Sequence, residues 1–223
     1  MFKIYPESTL KKVILLIITL ILTILSIYAK EYQLLIVPIY FFIWMIYPRS
    51  INKETFITRH LKINYLILGI IFGIIAETFA ILNNINLPLE ERILFYPDPL
   101  IDLILGLSYY TPLFFFSMFI VFKYKLNEKI MFIIGGIYGV LTEQTFQIFL
   151  SFNIIFWIYV FFVYGSFIAI PYTILKTPIN KLDLSEKNKF LSSGLLLILL
   201  LCGFGFAFIL MRIFWLILGL PIE

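Results

Sequence analysis

Two acids interrupt stretches that are otherwise almost wholly apolar. The segment GIIFGIIAETF, residues 69–79, carries Glu77, and GGIYGVLTEQTF, residues 135–146, carries Glu143. Gly69, Gly73 and Glu77 fall on Gly135, Gly139 and Glu143, and Phe72 falls on Tyr138. Steps of four keep the two glycines and the acid near one helix face, and small residues on such a face let helices approach closely. Each glutamate therefore belongs to a stripe that faces another helix. An ionisable side chain deep in a membrane costs about 2.5–3.5 kcal/mol on insertion scales and is a functional candidate by default. Two carboxyls that meet do not both ionise, so one can donate a proton while the other accepts one. Glu77 and Glu143 are thus the candidate catalytic acid and base. The structural alternative is a protonated glutamate that only hydrogen-bonds a neighbouring helix. Tyr109, Tyr110, Tyr138, Tyr159 and Tyr164 lie in or near the apolar stretches. Their faces suit a cationic intermediate, and they read equally as packing and lipid contact.

Other catalytic chemistries are narrowed by what the chain lacks. It has one cysteine, Cys202, and one histidine, His60. No internal disulfide, cysteine-based metal cluster or His-rich metal site is available. His60 stands beside Arg59 and Lys62, which predicts an exposed position.

The elements that must position these acids are membrane helices. The chain is 62% hydrophobic and 13% charged over 223 residues, against roughly 25% charged for a soluble chain. Hydropathy predicts an all-α, multi-pass membrane bundle of about seven helices over 11–29, 33–48, 63–83, 100–122, 130–150, 153–175 and 191–219, in a single integral membrane domain spanning 1–223. The basic start followed by a long apolar stretch resembles a signal peptide. Its length and the poor small-residue site in IYAKE predict an uncleaved first helix.

With seven spans, basic residues gather on one face. Lys3, Lys11 and Lys12 precede the first span; Arg49, Lys53, Arg59 and Lys62 follow the second; Lys123, Lys125 and Lys129 follow the fourth; Lys176, Lys181, Lys187 and Lys189 follow the sixth. Only Lys30 and Arg92 fall on the other face. Excess Lys and Arg mark the cytoplasmic side, so the N-terminus is predicted inside and the C-terminus outside, in the cell membrane. The net charge of +4 is read as this orientation signal with lipid headgroup contact, not as a nucleic-acid footprint. Glu77 is fifteen residues past Lys62 and Glu143 fourteen past Lys129. At ~1.5 Å per residue both lie ~21–22 Å from the inner boundary of a ~30 Å core. The third and fifth helices would run the same way, so residues 63–122 and 130–175 read as the halves of a parallel internal repeat; low sequence complexity could mimic it.

The predicted outer loop NNINLPLEERILFYPDPLID, 83–102, concentrates Glu90, Glu91, Asp98 and Asp102 with only Arg92 against them. Asp98 and Asp102 share a face if a helix begins at Pro99, a residue suited to a first turn. Paired carboxylates can hold Mg²⁺, yet Asp98 reads equally as a helix cap; no cofactor is expected. Arg212, in the outer part of the last helix, either pairs with Glu77 or Glu143 or snorkels to the surface. Gln144, Gln147 and Asn153 either extend a polar path from Glu143 or mark a tight turn. Pro38, Pro112 and Pro171 are candidate kinks.

Within that loop, Pro88, Glu90 and Glu91 spell Pro-x-Glu-Glu with Phe95 nearby. This resembles the motif of the heterodimeric lycopene cyclase family, small multi-pass membrane proteins. Other carotenoid-modifying membrane proteins are similar in build. The resemblance covers about ten residues, and the second copy of the motif that a fused member would carry does not occur. It implies that Glu90 or Glu91 donates the proton in carotene cyclisation.

Three functions follow. The first is a membrane-embedded enzyme acting on an isoprenoid or other lipid, with Glu77 and Glu143 as acid and base. Glu90, Glu91, Asp98, Asp102, Tyr109, Tyr110, Tyr138, Gln144 and Arg212 are its candidate substrate-binding groups. The second is a proton- or cation-coupled transporter using the same two glutamates. The third is an assembly subunit in which they satisfy neighbouring helices. Membrane lipids and a hydrophobic substrate are the expected partners.

Overall fold

A computed structural model describes residues 9–46, 60–144, 146–185 and 188–220. Among these, every element is helical apart from one isolated bridge. The helices are α1 (Thr9–Tyr28), α2 (Ile36–Ile46), α3 (Leu61–Asn84), α4 (Pro99–Val121), α5 (Glu128–Thr142), the single turn α6 (Gln147–Leu150), α7 (Ile154–Ile179) and α8 (Lys189–Ile217). Short 3-10 turns at Tyr32–Leu35 and Leu89–Glu91 lead into α2 and the α3–α4 loop. Lys3, Arg49, Lys53, Arg59 and Lys187 lie outside the described residues.

Side-chain caps set several starts. Asp98 accepts from Leu100 N at 2.9 Å and Ile101 N at 3.1 Å, with Pro99 in the first turn of α4. Asn127, Asn153 and Asn188 cap α5, α7 and α8 in the same way. An Asx side chain there satisfies amides that have no partner within the helix.

Four helices, α3, α4, α7 and α8, are long and apolar enough to cross a membrane, while Lys12–Tyr28 and Tyr32–Ile46 are shorter apolar stretches. The expected helix over 130–150 is interrupted. α5 stops at Thr142 after 15 residues, ~22 Å at 1.5 Å per residue, short of a ~30 Å hydrocarbon core. Glu143 is extended (φ −57°, ψ 134°), and Gln144 and Phe146 have φ of 48° and 71°. Left-handed backbone at a bulky residue such as Phe is unfavourable. Apolar residues resume at Ile148, Phe149 and Leu150, so the hydropathy run carries on past the break, which Gln144 and Gln147, read as possible markers of a tight turn, flank. The turn is held instead by tertiary contacts: Trp157 Nε1 donates to Ile148 O at 2.8 Å, and its ring stacks on Phe149 at 5.9 Å.

α7 is the central post. It packs against α5, α3 and α2, while α4 lies between α3 and α8. Pro171 and Pro178 fall inside α7, which runs on to Ile179. The loop after α4 meets the loop after α7 through Lys125 N to Ser185 O (3.1 Å) and Ser185 N to Lys123 O (3.2 Å). At the opposite end Tyr32 N donates to Asn83 Oδ1 at 2.6 Å, and Tyr159 donates to Gln33 Oε1 at 3.3 Å. The α1–α2 link, the end of α3 and the start of α7 therefore share one end.

Candidate functional site

The glycine stripes bring each glutamate to a tyrosine. A Cβ at Gly73 would lie 2.3 Å from Tyr110 Cγ, and one at Gly69 would lie 2.2 Å from Phe114 Cγ. Only glycine admits these rings against the α3 backbone. One turn beyond Gly73, Tyr110 Oη donates to Glu77 Oε2 at 2.7 Å. α5 and α7 repeat the arrangement. Tyr164 occupies the space beside Gly139, at 2.4 Å from a Cβ built there, and Ile168 the space beside Gly135, at 2.9 Å. Tyr164 Oη donates to Glu143 Oε2.

Glu77 and Glu143 line one cavity of about 250 Å³. Glu77 is 6% exposed, while Glu143, at the break in α5, is half-buried. Tyr109, Tyr110, Tyr164, Thr142, Gln33 and Gln144 supply the other polar groups, and Phe95, Phe204, Phe208 and Met211 an apolar wall. Among the described residues, no Lys, Arg or His lines it. Tyr109 and Tyr138 hydroxyls are 2.9 Å apart; Tyr138 is fully buried behind the cavity. Towards the start of α3 the interior is closed by rings: Tyr110 on Phe167 at 5.7 Å, Phe167 on Phe114 at 6.2 Å, and Phe114 on Tyr65 at 6.1 Å. The site can thus exchange protons with a guest, or hold a cation.

The remaining acids separate. Asp98 is exposed and occupied as the α4 cap. Asp102, read as a loop acid beside it, is 0% exposed. Its Oδ1 accepts from Tyr96 N at 3.1 Å, and it stands one turn before Gly106, where the Glu77 stem packs, while Asp98 is taken up by the α4 amides. Among the described residues no group of three or more His, Cys, Asp or Glu is placed to hold a metal. Glu90 and Glu91 are exposed in the 3-10 turn and do not line the cavity, although Ile93, Leu94 and Phe95 do. Arg92 does not balance those acids: its guanidinium donates to the carbonyls of Ile85, Leu87 and Pro97 and ties the loop together. Arg212 is exposed, lies over the Trp215 ring at 5.8 Å and does not line the cavity. His60 is exposed at the start of α3.

Gln33, Thr142 and the α8 wall were not expected at the site, and Tyr164 was read for its ring face and not as a hydrogen-bond partner of Glu143. Gln33 carries no local signal, and Phe204, Phe208 and Met211 are spaced as any lipid-facing helix would space them. The tyrosines do carry a faint one. Tyr110 and Phe114, like Tyr164 and Ile168, are four apart. Yet Tyr110 follows its glutamate by 33 residues and Tyr164 by 21, so a fixed-offset comparison misses the match.

Comparison of the chain with protein-family models, with curated proteins and with solved structures finds no match.

Proposed function

We propose that this is a seven-span protein of the cell membrane, N-terminus inside, and that its cavity is the acid–base centre of an enzyme acting on an isoprenoid or other lipid. One observation carries the reading: Glu77 and Glu143 face a single cavity, each oriented by a tyrosine hydroxyl, against an aromatic wall with no basic side chain among the described residues. The orientation rests on the joined basic loops after α4 and α7, which lie at the end away from the cavity.

In this reading one glutamic acid gives its proton to a carbon of a substrate double bond. The neighbouring carbon becomes cationic. After rearrangement or ring closure, the ionised glutamate removes a proton from an adjacent carbon and the double bond re-forms elsewhere. Atoms and charge balance without a co-reactant. The π faces of Tyr109, Tyr110, Tyr164 and Phe204 stabilise the cation by ~0.5–2 kcal/mol each when desolvated. At about 250 Å³ the cavity is smaller than the roughly 300–1,000 Å³ of a pocket for a drug-sized ligand. It suits an end group, with the rest of a long chain lying in the bilayer. Glu90 and Glu91 stand at the approach, beside the lining segment Ile93–Phe95.

The test compares lipid extracts from cells expressing the wild type, Glu77→Gln and Glu143→Gln. The expected result is a lipid species changed by the wild type and unchanged by either variant. Identical extracts from wild-type and empty-vector cells, across isoprenoid-producing hosts, would sink the enzyme reading.

A second reading, proton- or cation-coupled transport, is favoured by the break in α5 at Glu143, since discontinuous helices hold coupling ions in transporters. The aromatic plug beneath Tyr110 weighs against it. Ion-driven solute uptake into proteoliposomes would establish transport in its place.

A further inference from the structure

The two glutamate–tyrosine units differ in one respect. On α4, Asp102, Gly106 and Tyr110 are spaced by four and share a face. A Cβ at Gly106 would lie 3.3 Å from Glu77 Cγ, so the Glu77 stem crosses α4 at that glycine. Its carboxyl accepts from Tyr110 Oη, one turn beyond Gly106, at 2.7 Å, and Asp102 stands one turn before Gly106 on the same face, on the other side of the Glu77 stem. The position equivalent to Asp102 in the second unit, eight residues before Tyr164, is Phe156. Glu143 therefore has no such carboxyl beside it on α7.

Asp102 is fully buried, yet its Oδ2 has no hydrogen-bond partner. Its other oxygen is occupied by Tyr96 N. Burying a carboxyl oxygen unsatisfied is costly, and two bare carboxylates in contact would repel strongly in such a site. A single proton between the two carboxyls satisfies the free oxygen and removes the repulsion.

We propose that Asp102 is a positioning residue that shares one proton with Glu77, making Glu77 the acid of the pair and leaving Glu143 as the base. This rests on the acid–base reading of the cavity. Asp102 does not line the cavity, so it acts on the guest only through Glu77. The proton belongs to the carboxyl pair as a unit. The other titratable groups that face it are Tyr110 from α4 and, at longer range, Glu143 from α5. Between turnovers the proton that Glu143 has taken from the guest returns to Glu77 across the cavity that both line.

The experiment is infrared spectroscopy of the full chain in lipid vesicles at neutral pH, in H₂O and D₂O, on wild type, Asp102→Asn, Glu77→Gln and Glu143→Gln. One protonated-carboxyl C=O band that shifts in D₂O is expected in the wild type and in Glu143→Gln. It is lost in Asp102→Asn, where the amide donates to an ionised Glu77, and equally lost in Glu77→Gln. Absence of the band in the wild type overturns the proposal, as does its persistence in either Asp102→Asn or Glu77→Gln. Because the band needs no substrate, it is read even if lipid extracts show no product. Failure of the enzyme reading and failure of the shared proton are therefore distinct results. If Asp102→Asn does not fold, Glu77→Gln tests the same band from the other side of the pair.

Discussion

Removing the Tyr110 hydroxyl should weaken the bundle by an amount that depends on Glu77. The bond joins α4 to α3 at 2.7 Å, between a phenol 5% exposed and a carboxyl 6% exposed. Tyr110→Phe leaves Glu77 Oε2 without its donor, which costs about 2–3 kcal/mol for a buried acceptor. Interhelical hydrogen bonds in membranes couple by about 0.6 kcal/mol on average and about 1.7 at most. A carboxyl acceptor in a site closed on one side by stacked rings belongs near the upper value. A double-mutant cycle of Tyr110→Phe with Glu77→Leu should therefore show a coupling of about 1.5 kcal/mol, roughly tenfold in the folding equilibrium. The assay is reversible denaturant unfolding in mixed micelles for wild type, both single variants and the double variant. Tyr65→Phe provides the control. Tyr65 is three turns away along α3 and its hydroxyl is paired with Ser117 at 3.1 Å, so its cycle with Glu77→Leu should be additive. Additivity within about 0.5 kcal/mol for Tyr110 with Glu77 would refute the claim that this bond organises the site.

Two further outcomes follow from packing and charge. Gly139→Ala should destabilise by about 1–3 kcal/mol, because its Cβ meets Tyr164 at 2.4 Å, whereas Gly205→Ala meets nothing within 4 Å and should gain up to about 1 kcal/mol from helix propensity; thermal melts in detergent compare them. Lys176 Nζ lies 2.7 Å from Glu128 Oε1, with side chains 18% and 4% exposed. Lys176→Met alone should cost about 3 kcal/mol by leaving Glu128 uncompensated, and the double variant with Glu128→Leu should recover most of that, as read by the same unfolding assay.

Much of the helical framework was legible without coordinates. Hydropathy runs placed α3, α4, α7 and α8 to within a few residues, because a lipid-facing helix must be apolar over its whole length and its ends are marked by polar residues. The Gly-Gly-Glu stripes were also legible, since a period of four is a local property of the chain and glycines there imply a close neighbour. Asp98 offered both a metal-binding and a capping role, and its bonds from Leu100 N and Ile101 N decide for the cap.

What remained illegible depends on partners far along the chain. Which side chain fills the space beside Gly73 or Gly139 is set by the length of each connecting loop and the rotation of each helix, and neither leaves a periodic trace. The break after Thr142 has no glycine or proline to announce it; contacts from Trp157 on α7 hold the turn. Asp102 looked like one of four acids in a loop until the packing of α4 against α3 buried it beside Glu77. Sequence thus determined that two acids had to be hidden among helices, because lipid tolerates few charges. Only the tertiary structure decided what each acid touches, because hydrogen bonds between helices are chosen by three-dimensional placement and not by local spacing.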